Sequence, residues 1–126
     1  MPQLYTKKVM KHFFHPKNMG EIKDADAIGK VTNPVCSDTM KIYLKIDKKN
    51  NKIKDAKFQT MGCAAAIASS DMTCELARGK TLKEALKINN KNILKNLGGL
   101  PCEKEHCSLL GEEALKNAIS NYKNKT

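Results

Sequence analysis

Apolar and polar positions along this chain change their period twice, and each change marks a new kind of element. Tyr5, Val9 and Phe13 recur at helical spacing, so the N-terminal stretch predicts a short amphipathic helix. It has to end near His15-Pro16, because the residue before a proline is pushed out of the helical region. Lys17 to Gly20 then reads as a turn, and Ile28 to Thr32 as a short strand. Met40, Ile42, Leu44 and Ile46 alternate with Lys41, Tyr43, Lys45 and Asp47, the period of a half-buried strand with its polar members outward. The polar tip Lys48-Lys49-Asn50-Asn51 turns the chain into a third strand carrying Ala56, Phe58 and Thr60. Three strands joined in this way predict an antiparallel meander.

Beyond Gly62 the pattern becomes helical. Cys63 to Ala68 opens a helix that runs to about Arg78, with Gly79 as its stop. Thr81-Leu82-Lys83-Glu84 is a capping box for a short helix, and Asn89 or Asn90 caps another that ends at Gly98-Gly99. After the loop Leu100 to Glu105, a last helix is expected from about His106 to Tyr122, apolar at Leu109, Leu110, Ala114, Leu115, Ala118 and Ile119. Strands first and helices after predict an α+β fold, a three-stranded antiparallel sheet packed against a cluster of helices. A chain of 126 residues without linkers or repeats is expected to be a single domain over 1–126.

Composition narrows the function. No apolar run approaches the roughly 20 residues of a membrane helix, and the N-terminus lacks a secretory pattern. A soluble, cytoplasmic protein with no membrane association is expected. The net charge of +10 invites a nucleic-acid partner. Against that, Arg78 is the one arginine among 23 basic residues, the lysines are scattered, and only three tyrosines and three phenylalanines could stack on bases. No nucleic acid is therefore expected. A solvated lysine surface, or a basic face that docks an acidic protein, fits better.

Five cysteines, an odd number with no secretion signal, point to metal or thiol chemistry and away from a disulfide framework. Cys36 stands in a loop between two strands, Cys63 where the third strand meets the long helix, and Cys107 at the start of the last helix. Thiols at helix N-termini meet unpaired N–H groups and the positive end of the helix dipole, which favour the thiolate. Asp38 and His106 add an oxygen and a nitrogen donor beside Cys36 and Cys107. Three soft thiolates with one harder, exchangeable fourth ligand would hold zinc or iron–sulfur. Durable redox clusters usually have four cysteines. Cys74, about three helical turns beyond Cys63, reads as a small buried hydrophobe. His12 and His15 read as surface residues at a helix end.

These same residues carry a family resemblance over nearly the whole chain. His15-Pro16-Lys17-Asn18-Met19-Gly20 matches an HPxNxG segment, and Cys36-Ser37-Asp38 stands where a Cys-Gly-Asp is usual. Phe58 to Ser70 is similar to an FxTxGCxxAIASS stretch, and Leu97 to Pro101 with His106-Cys107-Ser108 to a closing motif. The chain resembles the IscU/NifU family of iron–sulfur cluster assembly scaffolds, in the form of the NifU N-terminal domain without further domains. It lacks the insertion between Cys63 and His106 that is expected of SufU-type members.

The resemblance implies a non-enzymatic scaffold. A cysteine desulfurase would deliver sulfur as persulfide, with Cys107 the first acceptor. Iron would join to form a [2Fe-2S] cluster on Cys36, Cys63 and Cys107, with Asp38 or His106 as fourth ligand, and two such units could couple into [4Fe-4S]. The labile cluster would pass to apo iron–sulfur acceptor proteins. Zinc is the alternative occupant, and homodimers and an Hsp70-type chaperone system are implied partners. The chaperone-recognised segment departs here, since Cys102 replaces the second proline after Leu100. Two rivals stand beside the scaffold: a zinc-binding structural module, and a thiol enzyme using Cys107 with His106 as base. The second is weakened by the roughly 100° between adjacent helical positions.

Overall fold

The computed structural model describes residues 5–33, 38–100 and 105–125. Within them the expected meander is present. Strands β1 (Ala27–Thr32), β2 (Thr39–Asp47) and β3 (Lys52–Met61) form an antiparallel sheet in the order β1-β2-β3. The register sets Gly29 opposite Ile42 and Ile42 opposite Phe58, so Ala27, Met40, Leu44 and Ala56 share their face with these residues and are buried. A bulge at Lys45/Ile46 re-aims β3 so that Ile53 also turns into the core.

The helices are α1 (Lys7–Phe14), α2 (Ala64–Ala77), α3 (Leu82–Ala85), α4 (Asn90–Leu97) and α5 (His106–Lys125). Their ends follow local chemistry. The Thr6 hydroxyl accepts from the Val9 N–H (3.1 Å) and donates to the Leu97 carbonyl (2.5 Å), which ties the start of α1 to the end of α4. Thr81 and Glu84 form the expected capping box, Asn89 caps α4 with Asn92, and Gly98 closes α4 in the left-handed conformation.

Helix α2 is the central one, buried on most of its sides between the sheet and the other helices. It tolerates polar residues there because Ser70 and Thr73 return their hydroxyls to the carbonyls one turn back, both at 2.7 Å. Helix α5 runs against β1 with almost no clearance. A Cβ on Gly29 would sit 2.2 Å from the Ala114 carbonyl oxygen and 2.4 Å from the Ala118 nitrogen. Asn117 accepts from the Lys30 N–H (3.1 Å) and Asn121 donates to the Ile28 carbonyl (2.8 Å), so side chains of α5 satisfy the free edge of β1. Among the described residues no helix is long and apolar enough to cross a membrane.

Two positions depart from the periodic reading. Tyr43 lies on the polar side of β2 yet is only 4% exposed. Its hydroxyl donates to Gln59 Oε1 (2.7 Å), and the Lys41 ammonium stands 5.1 Å from its ring centroid, so long neighbours cover the phenol. Leu109, read as a core position of the last helix, is 43% exposed. The core side of that helix is set by Leu110, Ala114, Leu115 and Ala118, one position further round.

Candidate metal centre

The ends of three elements bring the expected donors together. Cys63 is the N-cap of α2, in extended backbone, and its carbonyl already accepts from the Ile67 N–H (3.1 Å). Cys107 lies in the first turn of α5 and is fully buried, whereas Cys63 is half-buried. Their sulfurs are 4.0 Å apart, a contact distance about twice an S–S bond. His106 and Cys107 do not diverge as adjacent helical positions suggest. His106 opens the helix, and its Nε2 lies 3.7 Å from the Cys107 sulfur.

Asp38 enters from the residue before β2, with its carbonyl accepting the Asn33 N–H at 2.8 Å. Its carboxylate rests against Gly62. A Cβ on that glycine would lie 3.0 Å from Asp38 Cγ and 2.9 Å from the Ala66 side chain, so the missing side chain is what lets the carboxylate approach the start of α2. One ligand atom each from Asp38, His106 and Cys107 falls within 4.8 Å of the others. Ala65 and Ala66 form an apolar wall with Cys107, against which Tyr5, Cys63 and Leu100 pack. Cys36 and Cys102 lie outside the described residues.

Sulfur, imidazole and carboxylate converging on one point suit zinc or iron–sulfur, and not the hard cations that want an all-oxygen shell. Cys74 is set apart from this centre. It is fully buried in the core, where burial pushes its thiol far above the ordinary range, with the nearby Asp71 charge adding to the shift.

Sequence reasoning missed a second polar group, and His12 corrects it. His15 is exposed, but the His12 side chain is 13% exposed and its Nδ1 lies 2.5 Å from Asp71 Oδ2. A carboxylate only accepts, so Nδ1 carries the proton. The other Asp71 oxygen accepts from the Asn18 backbone N–H and from its amide, both at 2.9 Å. Asn18 accepts in turn from Arg78 (2.5 Å), which also reaches Asp55 (3.0 Å) and the Ala56 carbonyl (2.9 Å). The network pins the 15–20 segment between α2 and β3, where Phe58 exchanges backbone bonds with Asn18 and Gly20. One signal was available: Asp71 is the one charged residue in the run Phe58 to Cys74, on a helix whose burial needs a partner for it.

Fold and donor set together define a small α+β protein with a sulfur-rich centre at the junction of its sheet and helices. The NifU-like N terminal domain matches residues 4–126, and the chain belongs to that family, as its motifs anticipated. It is 55% identical over 119 residues to the iron-sulfur cluster assembly scaffold protein IscU 1 of Archaeoglobus fulgidus, covering 94% of this chain and 76% of that protein. With the scaffold protein IscU of Aquifex aeolicus it shares 43% identity over 118 residues, 94% of this chain and 75% of the other. Among solved structures, a candidate iron–sulfur cluster assembly scaffold of the SUF system from Fervidobacterium islandicum superposes with a TM-score of 0.74 at 27% identity, over 92% of this chain and 96% of that one. A NifU-like N-terminal protein from Brucella abortus has the same fold, with a TM-score of 0.75 at 20% identity over 98% and 96% of the two chains.

Proposed function

We propose that this chain is a scaffold on which an iron–sulfur cluster is assembled and from which it is released. The convergence of Asp38, His106 and Cys107 within 4.8 Å, with the Cys63 sulfur 4.0 Å from that of Cys107, carries the reading. Cys36, Cys63 and Cys107 are the cluster ligands, and Asp38 or His106 takes the fourth place. The relatives named as assembly scaffolds support it. A harder donor in the fourth position exchanges more readily than a fourth thiolate, which suits a cargo over a resident redox group. The cargo is a [2Fe-2S] cluster, from which [4Fe-4S] is reached by coupling two units.

Sulfur arrives from a cysteine desulfurase. The Cys107 thiolate attacks the terminal sulfur of the desulfurase persulfide, forming a new S–S bond as the desulfurase thiolate leaves. Nε2 of His106, at 3.7 Å, is placed to take the Cys107 proton beforehand. Apo iron–sulfur proteins then receive the cluster. The chain itself turns over no substrate.

The test is a sulfur-transfer experiment without iron. Incubated with cysteine and a desulfurase, the protein should gain one sulfur atom on the peptide that contains Cys107. Cys107→Ser should abolish that gain, and His106→Ala should slow it about a hundredfold or more, the usual range for a lost proton acceptor being about 10²–10⁴. Sulfur appearing first and persistently on Cys74 or Cys63 would overturn the assignment. Stoichiometric zinc that survives reconstitution, and whose removal unfolds the chain, would favour a structural zinc module.

A further inference from the structure

We infer that the basic pocket along α1 is a docking site for an acidic segment of a partner protein, separate from the metal centre. Lys8 stands three and four residues before Lys11 and His12, and His15 stands four and three residues after them, so the four border one side of α1 and its C-cap. That face borders a pocket of about 240 Å³, closed by Lys17 from the following turn, by Met72 and Glu75 of α2, and by Asn96 of α4. Glu75 is the only carboxylate in the lining among the described residues, and α1 has no acidic residue in its first turn. Lys8, Lys11 and Lys17 make no ion pair with any described residue.

Such a face is costly to the free protein, because like charges three and four residues apart destabilise a helix. It is also built on a rigid base. His12, at the floor, is held through Nδ1 by Asp71, which is itself fixed by Asn18. The concavity is too small for a folded element and fits acidic side chains entering one after another. Asn96 also borders a neighbouring pocket lined by Lys80 and Lys87 beside Glu84, so basic side chains continue past the first pocket, as an extended acidic segment would require and a single small anion would not.

The position gives the site a use. Tyr5, just before α1, packs against the cluster of Ala65, Ala66 and Cys107, and α1 spans roughly 12 Å at 1.5 Å per residue. A partner held by its acidic segment on α1 therefore stays within one helix length of the metal centre without covering it. The site does not depend on which metal the centre takes.

Titration of the metal-free protein with a decaglutamate peptide, followed by amide NMR, tests this. Shifts should concentrate on α1, Lys17, Glu75 and Asn96. Lys8→Glu/Lys11→Glu/Lys17→Glu should weaken binding about tenfold or more, since three attractive surface pairs are replaced by repulsive ones. The same charge change around the β2–β3 turn and the start of β3, Lys48→Glu/Lys49→Glu/Lys54→Glu, should weaken it less than about threefold, the effect of net charge alone. Equal losses in the two variants, with circular dichroism showing both folded, would overturn the proposal. So would inorganic phosphate producing the same shifts at equal or lower concentration, which would mark a small-anion site.

Discussion

Gly29→Ala is the perturbation that tests most directly how the fold positions Cys107. The added Cβ would lie 2.2 Å from the Ala114 carbonyl oxygen, 2.4 Å from the Ala118 nitrogen and 2.9 Å from the Ala118 Cα. All three are backbone atoms of one helix, so no side chain can swing aside, and α5 must move by about 1 Å to restore van der Waals separation. Overpacking of this kind costs about 1–3 kcal/mol, and a backbone-only clash belongs at the upper end. The alanine also restricts the unfolded chain, which offsets about 0.4–1 kcal/mol. The net loss is about 2 kcal/mol, or roughly 8 °C in Tm for a chain of this size. Gly79→Ala is the control. Its φ is +84° but nothing lies within 4 Å of its Cβ, so only the left-handed penalty of about 1 kcal/mol applies. Urea unfolding with a chelator present, followed by circular dichroism, measures both. Gly29→Ala should be the more destabilising variant and should also weaken metal binding, since α5 opens with His106 and Cys107. A Gly29→Ala protein as stable as Gly79→Ala, with metal affinity unchanged, would refute the packing argument.

The buried pair between His12 and Asp71 should behave as a unit. Asp71→Asn is expected to cost about 2–3 kcal/mol in urea unfolding, and a double-mutant cycle with His12→Gln should show coupling of about 1 kcal/mol or more, whereas simple additivity would deny the pairing. Cys74 should resist iodoacetamide at pH 8 in the folded protein, because burial raises its pKa and leaves almost no thiolate. Half-buried Cys63 should alkylate, and labelling of Cys74 at a matching rate would contradict the buried placement. Ser69 Oγ is buried with no hydrogen-bond partner among the described residues, so Ser69→Ala should leave stability unchanged or raise it by about 1 kcal/mol. A loss of more than that would reveal a partner for the hydroxyl.

Strand and helix order were legible in the sequence because period and caps act locally. The alternation from Met40 to Ile46, the Thr81–Glu84 capping box and Gly98 each state their element within a few residues. Ala27 joined β1 unannounced, since alanine and glycine carry little hydrophobic signal, yet they are what bring α5 close to the sheet. Burial of Tyr43 and exposure of Leu109 depend on which long side chains lie across the chain, and no local pattern encodes that. At the site, Cys63, Cys107, Asp38 and His106 were named from their types and junction positions, and the structure brings these four to one place. His12 was misread, because the residue that buries it stands 59 positions away. Gly62 was read only as the boundary before the helix, although this glycine decides how near the Asp38 carboxylate can come.

Cys36, Cys63 and Cys107 are proposed together to hold a labile iron–sulfur cargo. Anaerobic reconstitution with iron, cysteine, a desulfurase and a thiol reductant tests it, with iron and acid-labile sulfide measured against visible absorption. The wild-type chain should acquire sulfide-to-metal charge-transfer bands and matching iron and sulfide, and lose both to an apo-acceptor. Each of Cys36→Ala, Cys63→Ala and Cys107→Ala should abolish stable cluster, whereas Asp38→Ala should still acquire one, with His106 taking the fourth place. A full cluster on all three cysteine variants would contradict the account.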